Sequence, residues 1–555
     1  MTESKYSLAR LRALSLTFSV AAAVLLVAPA ADAANYCPAV WKKAVLPLNF
    51  NPAFTSMAKF NQAGGGQQDG LLVSSFFNVL KDPTGTTVTS FFERDLVARI
   101  KGLDTLDLAT FNKDTNVEVL TDLGGPPYKQ VWPNNVARVP DGVVPFEAVV
   151  SPQGFLAAPL PGRLSLINMD SPSRTEYLIN QSTSTAAPCN QTNPARRPRF
   201  YHEAQYVDMD ADGYIDIVTV RSSFKPTSPG PCVSFNGDLV YYKNPGPALN
   251  PTIPWVEHIL YGLPATQTGP DLSLRAYDFE NDGVPEIIAT HFFNLGGSIR
   301  IYGAPAGMTW GSVNQVTGPF VREEDVVYGG TEGKPFGIEL VDLNLDGKVE
   351  ILVTTHQGDN CFAVTQDPIP GRVFALEQPA APFTVFAGPD AWTRHILKDD
   401  IRPNPTFPQP ATGPGRLAPG GAIAFTPVAG LQGKVKPWIV VGGDEASKVW
   451  LISPKYPTNK TNWDYQSAVV FDINQTYGPG TTQTIMGPSG VSPGEVISTI
   501  GVPSVRYDGA GSTAQTQIYI PVFEAKEIHV LTLRTGAASN RVVCPPDVRE
   551  SCPIP

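Results

Sequence analysis

Short apolar runs bounded by Gly, Pro, Asn and Asp recur along this chain, and they come in pairs. Phe146–Val150 goes with Arg163–Ile167, Ile217–Val220 with Leu239–Tyr242, and Ile287–Thr290 with Ile299–Tyr302. Ile351–Thr354 goes with Arg372–Ala375, Trp438–Val441 with Lys448–Ile452, and Ile518–Ile520 with Glu527–Leu531. Upstream, Leu71-Leu-Val-Ser-Ser-Phe-Phe-Asn78 echoes the stretch from Ile287 to Asn294, including its Phe-Phe-Asn. Runs of this length, rich in Val and Ile and cut off by turn residues, read as β-strands. The leading runs start near residues 71, 146, 217, 287, 351, 438 and 518, which is 64 to 87 residues apart. That spacing suits propeller blades with long loops and is too wide for a solenoid coil. Trp255-Val-Glu-His258-Ile-Leu and Trp392-Thr-Arg-His395-Ile-Leu supply a further strand, giving four per unit. The pattern predicts an all-β, seven-bladed β-propeller, whose closure leaves no long open edge.

Three nonapeptides interrupt the pattern at equivalent places. They are Asp208-Met-Asp210-Ala-Asp212-Gly-Tyr214-Ile-Asp216, Asp278-Phe-Glu280-Asn-Asp282-Gly-Val284-Pro-Glu286 and Asp342-Leu-Asn344-Leu-Asp346-Gly-Lys348-Val-Glu350. Side chains at positions one, three, five and nine converge only if the chain turns sharply, and glycine at position six permits the turn. The carbonyl of position seven (Tyr214, Val284, Lys348) would be the fifth ligand. Oxygen-only ligation suits Ca2+ first and Mg2+ second, because zinc and copper favour His or Cys. An EF-hand needs Glu at position twelve and a helix beyond it. Here position twelve is Thr219, Ala289 or Val353, and a strand follows. The expectation is therefore calcium-binding loops in three blades, each tying a strand-to-strand turn. Ordinary solvated turns are the plainer alternative.

Lys334-Pro-Phe336-Gly337-Ile-Glu-Leu-Val-Asp342 with its acidic loop resembles the FG-GAP repeat of integrin α-chain propellers and the related VCBS repeats. Leu239-Val-Tyr-Tyr-Lys-Asn244-Pro-Gly leading to Trp255-Val-Glu-His258 is similar to the outer half of a VCBS unit. The resemblance is specific over about residues 200–400. It implies a propeller with cations on the face formed by the turns between first and second strands.

With 49 Gly and 54 Pro among 555 residues, and no long helical period, the composition is that of a turn-rich β protein. Lys5, Arg10 and Arg12 precede an apolar run from Leu14 to Ala30 and the small-residue site Ala31-Asp32-Ala33. Residues 1–33 thus read as a signal peptide and 34–555 as one propeller domain, secreted and without a membrane span. Six cysteines follow the cut, at 37, 189, 232, 361, 544 and 552. They fit an oxidising compartment, with Cys189–Cys232 and Cys544–Cys552 the favoured pairings among fifteen. Sequons at Asn180, Asn190, Asn459 and Asn474 suggest a glycoprotein. The net charge of −10 argues against nucleic acid as a partner.

On the face opposite the cations, Arg221, His291 and His356 follow the second strands of the three loop-bearing units, and Asp444 and Glu524 those of the last two. His202, Asp271 and Lys334 precede the first strands. His202, Arg221, His291, Lys334 and His356 are the candidate ligand residues around a concave channel mouth, with Phe224, Phe292, Phe293 and Phe362 as apolar surface. The competing reading makes His291 and His356 solvated loop residues, His258 and His395 blade-structural ones, and the phenylalanines inter-blade core. No catalytic motif is present. The first expectation is a binding or adhesion module for an extracellular glycan or protein. The alternative is a sugar-active lyase or dehydratase, with a histidine as base and Arg221 or Lys334 stabilising an enolate.

Overall fold

The computed structural model describes residues 40–533 apart from 63–64, 76–94, 122–129, 131, 155–161, 182–198, 226–233, 263–268, 294–296, 328–331, 357–369, 381–383, 405–417, 428–430, 488–489 and 509–514. Residues 1–33, read above as a signal peptide, and all six cysteines lie outside the described residues.

The paired apolar runs are the second and third strands of seven antiparallel sheets, each four strands deep. Blade 1 contains Pro52–Asn61, Gln67–Ser75, Leu96–Ile100 and Val117–Val119. Blade 2 contains Ala137–Arg138, Ala148–Pro152, Arg163–Asn168 and Glu176–Gln181. In blade 3 the first strand is split into Arg199–Tyr201 and Gln205–Val207, both paired with Asp216–Lys225, and Ser234–Lys243 and Val256–Tyr261 follow. Blade 4 contains Leu274–Tyr277, Glu286–His291, Ser298–Gly303 and Arg322–Val327; blade 5 contains Lys334–Val341, Glu350–His356, Gly371–Glu377 and Thr393–Ile401. Blade 6 contains Ala422–Phe425, Trp438–Gly442, Lys448–Pro454 and Tyr465–Asp472. A separate hairpin, Thr482–Gly487 with Gly490–Val496, precedes blade 7.

Blade 7 is assembled from both ends of the chain. Ser504–Asp508, Gln515–Val522 and Glu527–Leu533 come from the C-terminal part, and Val40–Pro47 adds the outermost strand, with Val45 opposite His529. The closing strand has no partner in its sequence neighbourhood, so periodicity alone does not reveal it.

Seven hydrophobic clusters fill the seven junctions between adjacent blades. Val218, Leu239 and Tyr241 of blade 3 meet Ile287, Ala289 and Tyr302 of blade 4, all essentially buried. Leu71 and Ala98 of blade 1 meet Tyr519, Ile528 and Val530 of blade 7 across the closure. Each fully buried Val, Leu or Ile contributes about 1.5–3 kcal/mol, so the ring is held by side-to-side packing of second and third strands. The first strands lie innermost.

Inner strands are irregular at one end. The register shifts around Phe54 in blade 1 and Phe336 in blade 5, and blade 3 breaks at His202. Such bulges re-aim side chains.

Candidate cation loops and the two ends of the channel

The three nonapeptides connect first to second strands in blades 3, 4 and 5 and adopt one conformation. Positions four and six are left-handed each time: Ala211 at φ 60° and Gly213 at 89°, Asn281 at 56° and Gly283 at 86°, Leu345 at 66° and Gly347 at 93°. Glycine takes this region freely, whereas a Leu there costs about 1–2 kcal/mol, so the loop is held in shape by its hydrogen bonds. The carboxylate of position one accepts from the N–H groups of positions five and six: Asp208 from Asp212 and Gly213, Asp278 from Asp282 and Gly283, Asp342 from Asp346 and Gly347, all at 2.9–3.1 Å. The position-five carboxylate accepts from position seven at 2.8–2.9 Å. Position nine accepts from position two, Asp216 from Met209, Glu286 from Phe279 and Glu350 from Leu343. Position two also anchors the turn in the inter-blade cores through Met209, Phe279 and Leu343. This recurring apolar position was readable in the sequence.

The position-nine carboxylates are buried, at 0% exposure for Asp216 and 1% for Glu286 and Glu350. Burial, together with the neighbouring loop carboxylates, pushes them up to about 6, 7 and 8 respectively. Asp208, Asp210 and Asp216 offer oxygens within 4.8 Å of one another. Glu350 Oε1 is buried with no hydrogen-bond partner. Asp210 Oδ1, in the blade 3 loop, is likewise buried without a hydrogen-bond partner, and buried acceptors without donors in an oxygen-only set fit a hard cation.

Two basic residues that sequence reasoning missed reach these loops. Lys243 Nζ pairs with Asp210 and lies 2.8 Å from Asp212 Oδ2. Arg322 Nη1 lies 2.8 Å from Glu280 Oε2, and Nη2 3.5 Å from Glu286 Oε1. Lys243 is the lysine of the Tyr-Tyr-Lys-Asn stretch, which was its available signal. On the same face a cleft of about 430 Å³ lies between the blade 4 and blade 5 loops. Tyr277, Glu280, Asn281, Lys348 and Gln378 are among its lining residues. Tyr277 is 36% exposed and stands edge-on to Phe279, with centroids 5.0 Å apart.

The opposite end is packed. Phe336 stacks on His356 at 4.5 Å and stands edge-on to His202 at 5.9 Å; Phe54 and Phe292 close the far sides of His202 and His356. His202, His291 and His356 are 2%, 0% and 1% exposed, where a ligand-facing channel mouth was expected for all three and solvated loop positions were the competing reading for His291 and His356. The bulged inner strands bring aromatic rings over them. Burial lowers His202 to about 4 and His291 and His356 to about 3, so all three are neutral at physiological pH. The structure brings His202 and His356 together through Phe336 and places Lys334 directly across the ladder from His356. His291 is held apart, 2.7 Å from the Tyr302 hydroxyl.

Arg221 does not end its strand. The second strand of blade 3 continues to Lys225 against Ser234–Lys243, which puts Arg221 mid-strand and 1% exposed. Its guanidinium is locked between Asp238 (Nε to Oδ2, 3.0 Å) and Glu257. Asp271 accepts from the N–H groups of Phe292 and Phe293, and Glu524 from Ser498 and Thr499; both brace turns. Asp444 Oδ2 lies 3.9 Å from His356 Nε2, and burial, then Glu445 and Glu524, raises its carboxyl well above the usual range. His258 and His395 stack on Tyr241 and Trp463 in the outer strands. The side chain of Phe224 and all of Phe362 fall outside what the structure describes.

The architecture is that of a seven-bladed β-propeller with three carboxylate-built turns. No family model matches the chain, and no curated protein matches it. Among solved structures it is similar to a mutant of Trypanosoma rangeli sialidase displaying trans-sialidase activity, with 9% identity and a TM-score of 0.33 over 90% of this chain. The chain spans only 60% of that neighbour's length, and so loose a likeness fixes neither family nor activity. No helix among the described residues is long and apolar enough to cross a membrane.

Proposed function

We propose that the chain is a cation-clasped propeller of the FG-GAP/VCBS kind, secreted, and acting as a binding module for an extracellular glycan or protein. What carries this reading is the threefold repetition of one hydrogen-bond scaffold around oxygen-only groups, each ending in a buried carboxylate. Calcium suits that donor set first and magnesium second. The cation would rigidify the turn, its binding free energy adding directly to folding.

The sequence favoured the opposite face for the ligand, but the histidines and Arg221 there are buried. The cleft between the blade 4 and blade 5 loops is an open concave space, with an exposed tyrosine ring beside amide, carboxylate and ammonium groups. An aromatic face with a few polar groups suits a sugar ring or a peptide side chain. A glycan array, repeated with Tyr277→Ala, tests this. Binding should fall at least roughly tenfold while the melting temperature holds; unchanged binding would place the ligand elsewhere.

A sugar-active lyase or dehydratase is favoured by one pair, the neutral imidazole of His356 and the raised carboxyl of Asp444. A base and an acid held in opposite roles can relay a proton. An ultraviolet assay for unsaturated product from each bound glycan decides it: turnover abolished by His356→Gln with binding retained supports the enzyme.

A further inference from the structure

The three loops share a scaffold but differ in what stands beside the buried position-nine carboxylate. In blade 3 the third-strand residue next to it is Lys243, which follows Tyr242, the ladder partner of Ile217. Its ammonium lies on both Asp210 and Asp212. In blade 4 the equivalent residue is Gly303, whose cross-strand partner Arg322 takes the vacated room; a Cβ on Gly303 would meet Arg322 Nη2 at 2.8 Å. Arg322 is itself fixed, donating from Nε to Ala304 O at 2.7 Å and lying 4.4 Å over the Phe386 ring. In blade 5 the equivalent residue is Glu377, which brings a further carboxylate in place of a base.

Blade 5 therefore has the oxygen ligands without a base seated on them: the buried Lys436 ammonium acts on Glu350 only through space and donates to Asn462 O. Glu350, at 1% exposure, has an Oε1 with no partner, and Asn344 is 2% exposed with its Nδ2 3.5 Å from Glu377 Oε1. Among the described residues no Lys or Arg forms an ion pair with Asp342, Asp346 or Glu350. A buried oxygen that finds no donor in the protein, among three carboxylates and an amide, is a binding position for an external cation. In blade 3 an incoming ion must first displace an ammonium from two carboxylates, and in blade 4 a guanidinium anchored on two further sides.

Resting on the reading that these loops hold cations, we propose that Asp342–Glu350 is the tight divalent-cation site of this protein. Lys243 and Arg322 are built-in counter-cations that occupy the other two loops in the metal's place. The blade 3 loop binds calcium roughly tenfold or more weakly, the scale two partly exposed ion pairs support, and the blade 4 loop binds it more weakly still.

The test is isothermal titration calorimetry of the metal-stripped full chain with calcium chloride. Wild type should show one tight site, and Glu350→Gln should abolish it. Lys243→Met should add a second site of similar tightness. Asn344→Asp, which adds charge without changing shape, should tighten the first site and serves if Glu350→Gln folds poorly. Three equivalent sites in wild type, a tight site surviving Glu350→Gln, or no change on Asn344→Asp or Lys243→Met would overturn the ranking while leaving the loops as cation sites. Absence of calcium binding in every variant would remove the underlying reading as well.

Discussion

The two ends of the ring handle charge in opposite ways. At the loop end, carboxylates cluster in turns, their position-nine members are buried, and Glu350 keeps an oxygen for which the protein supplies no donor. At the other end, charge is either neutralised in place, as with Arg221 between Asp238 and Glu257, or removed by deprotonation, as with the aromatic-packed histidines. On the proposed reading a bound cation completes one end, whereas the chain itself finishes the other, so salt, chelators and acid should act on them differently.

The largest effect should come from breaking the self-sufficient end. Arg221→Ala leaves two carboxylates without their buried partner and should cost about 3 kcal/mol or more, measured by urea unfolding; a loss below about 0.5 kcal/mol would show that the carboxylates find water instead. Next comes removal of the external component. A cation present at about a hundredfold over its dissociation constant stabilises by about 2.7 kcal/mol, so a chelator should lower the melting temperature by several degrees. A thermal transition that does not move in protein verified metal-free would mean that hydrogen bonds alone hold the loops.

Acid sharpens the contrast from the packed side. His202, His291 and His356 have folded pKa values below that of the unfolded chain, so the unfolded state binds more protons between pH 6.5 and about 4. Stability should therefore fall as pH drops through that window, by on the order of 1–2 kcal/mol per buried imidazole between pH 6.5 and 5. Asp444, with its raised pKa, works in the opposite direction and blunts the slope. His356→Phe should flatten the profile; an unaltered slope would place the acid sensitivity elsewhere. The smallest effect concerns the sequons. Asn459 is exposed in a turn at the loop end, whereas the Asn180 amide already donates to Tyr242 and Glu257 beside Arg221. In protein secreted from a eukaryotic host, mass spectrometry should find glycan on Asn459 and none on Asn180. Asn459→Gln should shift stability by less than about 0.5 kcal/mol.

Strand pairs and acidic turns were legible because both depend on residues close in sequence. Ile217–Val220 and Leu239–Tyr242 announce themselves by alternation and bounding turns, and the nonapeptides by fixed spacing. What the sequence did not show depends on distant chain segments. Lys243 and Arg322 reach the loops from third and fourth strands. The histidines look terminal until the bulges at Phe54 and Phe336 fold aromatic rings over them. Arg221 looked like a strand end because its β-branched run stops at Val220, yet hairpin pairing carries the strand five residues further.

The pairing of Val40–Pro47 with Glu527–Leu533 ties completion of the molecule to the order of its synthesis. Six blades can form while the ribosome is still working, but the ring stays a horseshoe until the final blade emerges and captures a segment made near the start. Until that moment the segment at residues 40–47 keeps its backbone unpaired, and the apolar flanks of blades 1 and 6 that later pack on blade 7 stay open, surfaces that invite self-association. Loss of the segment at residues 40–47 should therefore show first in the yield of folded protein, as a failure to close, and only secondarily as a lower melting point.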